Sequence, residues 1–187
     1  MKRSVVLIAA LLAFFLAMPF AAKAQTAISN ETANAYYRQC MANDDPRMNE
    51  DSQQSLCSCA SAKMMTVLTN EDMEILSPEP GPGRAAYDKM LANAYAPCMQ
   101  VPVEEQLYRE CMNDTKIRQF ALRDQSALCT CMARKTTHML PVEAPAMMRR
   151  ALQEDPDLRD AFDSLHGNSE FRKAAYNNLF SCLHEGN

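Results

Sequence analysis

The chain has 187 residues, with 8 cysteines, 14 methionines, 10 prolines, 4 glycines and no tryptophan, and its 19 basic and 23 acidic residues give a formal charge of −4. An excess of acid with no basic stripe repels phosphate backbones and anionic headgroups, so neither nucleic-acid binding nor a membrane-surface role has electrostatic footing. Scarce glycine, plentiful Ala, Leu, Met, Gln and Glu, and no alternating β-branched run predict an all-α fold.

The chain opens Met1-Lys2-Arg3, continues through an apolar block from Val5 to Ala17, and reaches Ala22-Lys23-Ala24 before Gln25. That charged, greasy, small-residue order predicts a secretory signal peptide over residues 1–24, cleaved after Ala24. An uncleaved anchor is the alternative, since Val5 to Ala22 is just long enough to cross a bilayer; Pro19 and the Ala-x-Ala site favour cleavage, with no stable membrane insertion afterwards. Cleavage removes Lys2, Arg3 and Lys23 and no acid, leaving 16 basic against 23 acidic residues and a charge of −7. The expected destination is periplasmic or secreted, an oxidising space where an even cysteine count reads as a disulfide framework.

Beyond the leader, Leu56-Cys57-Ser58-Cys59 recurs as Leu128-Cys129-Thr130-Cys131, and each C-x-C is flanked by one cysteine upstream and one downstream. The eight therefore form two sets, Cys40, Cys57, Cys59, Cys98 and Cys111, Cys129, Cys131, Cys182. We read a tandem duplication of a disulfide-stapled three-helix unit, the first over residues 25–102 and the second over 103–187.

The first unit predicts a helix from about Asn30 to Met41, capped by Ser29 or Asn30 and ending Tyr37-Arg38-Gln39-Cys40-Met41; the second answers with Tyr108-Arg109-Glu110-Cys111-Met112. After the turn-forming Asn43-Asp44-Asp45-Pro46, Asp51 or Ser52 can cap a second helix, as Asp124 can cap its counterpart. On that helix the two cysteines of C-x-C lie about 200° apart around the axis and reach separate neighbours. A bond between them would be a strained ring. A third helix from about Arg84 to Ala96 carries Tyr87, Lys89, Asn93 and, just beyond it, Cys98, and Phe171, Lys173, Asn177 and Cys182 keep the same spacing. Two connectivities satisfy this geometry: Cys40–Cys57 with Cys59–Cys98, or Cys40–Cys59 with Cys57–Cys98, and likewise in the second set.

The second unit carries twelve more residues between C-x-C and its last cysteine, a helical insertion at 141–168. There Pro145 can open a helix through Gln153, Asp155-Pro156 can start another ending near His166-Gly167, and Ser169 can cap the third helix. Met147, Met148, Arg149 and Arg150 share the first of these helices, a composition enriched at contact surfaces and the expected place for a partner, another protein of the cell envelope. The plainer alternative has Met148 and Leu152 covering the core while the arginines solvate.

No catalytic residue, cofactor or metal site is expected. C-x-x-C, C-x-x-C-H, H-E-x-x-H and G-x-S-x-G are all absent from the sequence. His138, His166 and His184 stand apart in the sequence, the last two near predicted helix ends. Asp155, Asp157, Asp160 and Asp163 lack the glycine and terminal Glu of an EF-hand loop. The leading expectation is a non-catalytic helical protein-interaction module: an adaptor, inhibitor or stabilising subunit. The alternative is a periplasmic soft-metal protein that binds copper or zinc through C-x-C and methionine.

Overall fold

The computed structural model describes residues 26–120 and 124–185; the expected signal segment, residues 1–24, lies outside them. The described residues form an all-α protein of ten α-helices and no strand. In chain order they are α1 Asn30–Ala42, α2 Glu50–Val67, α3 Asn70–Ile75, α4 Arg84–Met90, α5 Gln100–Asn113, α6 Thr115–Phe120, α7 Gln125–Thr137, α8 Leu140–Glu154, α9 Ala161–Gly167 and α10 Ser169–Glu185. Helix α4 runs on into a π-helical turn, Leu91–Tyr95, and a 3-10 turn, Ala96–Cys98. Pro97 has no N–H to return to the Asn93 carbonyl, so the α pattern cannot persist to the cysteine.

Side-chain caps fix where the helices begin. Ser29 accepts the Thr32 N–H at 3.1 Å for α1, and Asp124 accepts the Ala127 N–H at 3.0 Å for α7. Thr69 and Asp72 form a reciprocal capping box for α3. Helix α2 starts earlier than expected. Asn49, rather than Asp51 or Ser52, is its cap and accepts the Ser52 N–H at 2.8 Å, which leaves Glu50 and Asp51 in the first turn beside the positive end of the dipole.

The insertion also differs from expectation. Helix α8 begins at Leu140, with Pro141 in its first turn and Pro145 inside it, so Pro145 forgoes one main-chain hydrogen bond instead of opening the helix. Asp155 closes α8 through its N–H to the Ala151 carbonyl at 2.8 Å, while its carboxylate accepts the Asp157 N–H at 3.0 Å in a turn. Asp160 is the true cap of α9, accepting from Phe162 N at 2.8 Å, and Asn168 in place of Ser169 caps α10, accepting from Phe171 N at 2.9 Å.

Four disulfides join Cys40–Cys57, Cys59–Cys98, Cys111–Cys129 and Cys131–Cys182. Both halves thus adopt the same one of the two open connectivities, with Cα separations of 5.6 to 6.0 Å. Such bonds belong to an oxidising, extracellular-type environment. No helix among the described residues is long and apolar enough to cross a membrane.

Beside each staple lies a second tie. The Gln53 side-chain amide donates to the carbonyls of Cys40 and Asn43 at 3.0 Å and of Met41 at 3.3 Å, and the Gln125 amide donates to those of Cys111 at 3.0 Å and Met112 at 3.1 Å. The carbonyls that close α1 and α5 have no further turn of helix to bond, and a glutamine side chain supplies a donor.

One contiguous core runs through both halves, with Met64, Met99, Leu140, Met147, Met148 and Leu165 among its fully buried side chains. Helix α2 packs on α5, and α8 packs on the π and 3-10 turns that follow α4. Residue 102, expected as a boundary, lies inside α5. Between α8 and α9 a non-helical strap crosses back to the first half. Arg84 donates to the Leu158 carbonyl at 2.9 Å, Tyr87 donates to the Arg159 carbonyl at 2.7 Å, and Arg47 pairs with Asp160 at 2.6 Å.

Candidate functional site

Helix α10 carries apolar residues on two sides. Phe171 and Cys182 are buried, and the helix is anchored to α7 by the Cys131–Cys182 bond, by Lys135 against Glu185 at 2.5 Å, and by Asn178 donating to the Thr136 hydroxyl at 3.2 Å. The other side presents Tyr176, Leu179, Phe180 and Leu183, whose i, i+3, i+4, i+7 spacing makes a single stripe. Tyr176 is 62 % exposed and Phe180 44 %, with their ring centroids 4.7 Å apart.

Opposite this stripe stand Leu128 of α7 and Ile117 of α6, and between them lies a recess of about 310 Å³ lined almost wholly by apolar side chains. Helix α6 is held there by Asp114, whose carboxylate accepts the N–H groups of Lys116 at 2.7 Å and Ile117 at 3.2 Å. Lys116 is the one charged residue in the described lining, which includes no carboxylate. Arg172 and Lys173 are exposed one turn before Tyr176. An acidic protein thus carries a groove with cationic edges.

The first half differs at the matching place. Counted from the stapling cysteine, Phe180 and Leu183 correspond to Ala96 and Met99, which are fully buried where α8 packs. A small residue beneath a covering helix in one half is replaced in the other by an exposed ring with no helix over it among the described residues. Exposed apolar clusters of this kind mark contact surfaces.

A second recess, about 220 Å³, lies beneath the strap and is lined by Tyr87, Tyr95, Met90 and the Cys40–Cys57 bond. Its polar groups answer one another. Arg47 bridges Asp45 and Asp160, each at 2.6 Å, with its guanidinium 4.6 Å from the centre of the Phe162 ring. The Tyr36 hydroxyl donates to that of Tyr95, and burial first, then each other's proximity, pushes the Tyr36 phenol far above its ordinary value. Tyr87 and Tyr95 shift in the same direction, chiefly through burial. This arrangement locks the strap to the first half.

All eight cysteines are in disulfides, so they present no thiolate in this form. Among the described residues no three His, Cys, Asp or Glu side chains converge as metal ligands. His138 follows α7, while His166 and His184 lie in the last turns of α9 and α10. Met147 and Met148 are 2 % and 1 % exposed, within the core. Arg149 donates to Asn93 at 3.1 Å and Arg150 pairs with Glu170 at 3.0 Å, so of the four residues expected at a contact surface only the arginines reach solvent. Sequence reasoning missed the groove, although the signal was present in Tyr176-x-x-Leu179-Phe180-x-x-Leu183.

In comparisons with known proteins, the chain matches no family model, no curated protein and no solved structure.

Proposed function

We propose that the protein is a non-catalytic interaction module of the periplasm or secreted space, and that it engages another protein of the cell envelope. In this reading residues 1–24 are a cleaved signal peptide, and the mature chain is a tandem duplication of a stapled three-helix unit, with a first unit over 25–102 and a second over 103–187. The repeated C-x-C, the shared connectivity and the two glutamines at matching places support the duplication. The observation that carries the functional reading is the groove of Tyr176, Leu179 and Phe180, exposed on a scaffold tied down by disulfides. A site built on such a rigid helix loses little entropy on docking, and rigid aromatic side chains are the usual anchors of binding energy.

The test is a photo-crosslinking amino acid placed at Phe180 of the full chain in its native cell envelope, with Val142 as an exposed control site. The reading expects a discrete protein adduct at Phe180, absent at Val142 and abolished by Leu179→Glu. Failure to form any site-specific adduct, together with an unchanged mass for the purified protein, overturns it.

A further inference from the structure

We infer that the occupant of the α6–α7–α10 groove is an amphipathic helix of a partner protein whose apolar stripe is edged by carboxylates. This inference rests on the interaction reading and adds the chemistry of the partner.

Two independent observations carry it. The first is the contrast between the halves. The face of the third helix next to its stapling cysteine is covered in the first half by α8, which presents Leu140, Ala144, Met147 and Met148 at i, i+4, i+7 and i+8. In the second half the face around Cys182 has the same relation to its staple, and among the described residues no helix lies over it. A helix laid along a groove between helices is what this packing already accepts once.

The second is charge. Lys116 stands in the described lining, and Arg172 and Lys173 extend the stripe at its N-terminal end. Carboxylates flanking an incoming apolar stripe meet these cations, whereas a lysine-edged helix meets like charge. The same cations disfavour a second copy of this chain, because an isologous contact sets the patch of Lys116, Arg172 and Lys173 in one copy against the same cationic patch of the other. A lipid surface fits less well than a helix, since the apolar residues line a recess between three elements instead of forming a projecting ridge.

The probe is a pair of synthetic amphipathic helical peptides that share one apolar i, i+3, i+4, i+7 stripe and differ only in having glutamate or lysine along both edges. Each is titrated into the oxidised mature protein while the backbone amide resonances of Tyr176 and Phe180 are followed. The expected result is binding of the glutamate peptide at least tenfold tighter than the lysine peptide, weakening as salt rises. Lys116→Glu with Lys173→Glu reverses that preference, and Tyr176→Ser with Phe180→Ser removes both interactions.

Equal affinity for the two peptides, or no shift with either, overturns the inference. So does a dimer in sedimentation that Phe180→Ser dissolves, which makes a second copy the occupant, or co-flotation with phosphatidylglycerol vesicles through the same residues. If the crosslink at Phe180 survives while the peptide preference is absent, the partner chemistry is wrong and the interaction reading stands. If both fail, both fall.

Discussion

The side-chain amide of Gln53 lies 3.0 Å from the carbonyl oxygen of Cys40, whose sulfur is bonded to Cys57 one turn after that glutamine. Gln125 repeats the relationship with Cys111 and Cys129. Covalent staple and hydrogen-bonded tie therefore act on the same helix end.

Gln53 is 5 % exposed and serves three carbonyls, while Gln125 is half-buried and serves two. Replacing Gln53 by alanine removes a buried donor shared by three carbonyls and is expected to lower stability by about 1–3 kcal/mol. Gln125→Ala should lie at the lower end of that range, because its amide is only half-buried and serves two carbonyls instead of three. Urea denaturation of the two variants measures both values, and equal effects would contradict the burial argument.

The disulfides close loops of different span. Cys111–Cys129 encloses a separation of 18 residues and Cys131–Cys182 one of 51. Loop-closure entropy rises with the logarithm of length, so paired alanine replacement of Cys131 and Cys182 is expected to destabilise by about 1 kcal/mol more than replacement of Cys111 and Cys129. Peptide mapping of the unreduced protein provides the companion check. Any link from the first set of four cysteines to the second contradicts the fold.

Grouping the cysteines into two sets of four was possible from sequence because C-x-C is printed twice with matching flanks. Choosing between the two connectivities was not, since either sulfur of C-x-C can reach either neighbour from a helix. The glutamines were legible too, as Gln53 and Gln125 each stand four residues before the first cysteine of the pair. Where α8 docks was hidden for a different reason. A periodic apolar stripe such as Leu140, Ala144, Met147 and Met148 tells which face is buried and not what covers it. Tyr176 and Phe180 escaped notice by the same logic, because an apolar pair one turn apart reads as core until its covering element is found missing.

Acid should release Arg47 from Asp45. The Arg47 guanidinium, hydrogen-bonded to Asp45, holds that carboxyl below the usual aspartate range against the opposing effect of partial burial. A group depressed in the folded state adds stability that is fully present above its unfolded value of about 3.9 and is lost as pH falls through the folded value. Stability measured between pH 5 and pH 2 should therefore fall more steeply in the wild type than in Asp45→Asn. Parallel curves would remove the Arg47–Asp45 contact from the account.

At the alkaline end the sign reverses. Burial raises the phenols of Tyr36, Tyr87 and Tyr95, so the folded protein keeps protons that the unfolded chain releases near pH 10. Their contribution is complete below that pH and lost above it. Ultraviolet titration of tyrosinate should show part of the absorbance change appearing late, together with unfolding. Tyr95→Phe should leave Tyr36 without its acceptor and shift that late step to lower pH, and a single reversible step for all the tyrosines would contradict the buried pair.

Met148 and Arg149 are neighbours in α8 with opposite fates, the one 1 % exposed in the core and the other reaching across to Asn93 at 3.1 Å on the surface. Truncating a buried methionine removes its packing and leaves a cavity, for an expected loss of about 2–5 kcal/mol in Met148→Ala. Arg149→Ala and Arg150→Ala remove exposed polar contacts whose attraction solvent already screens, and each should cost less than about 1 kcal/mol. Denaturant midpoints of the three variants separate the two kinds of residue. A neutral Met148→Ala would mean that α8 does not close the core of the first half, and the contrast between its covered third helix and the bare face of α10 would lose its meaning.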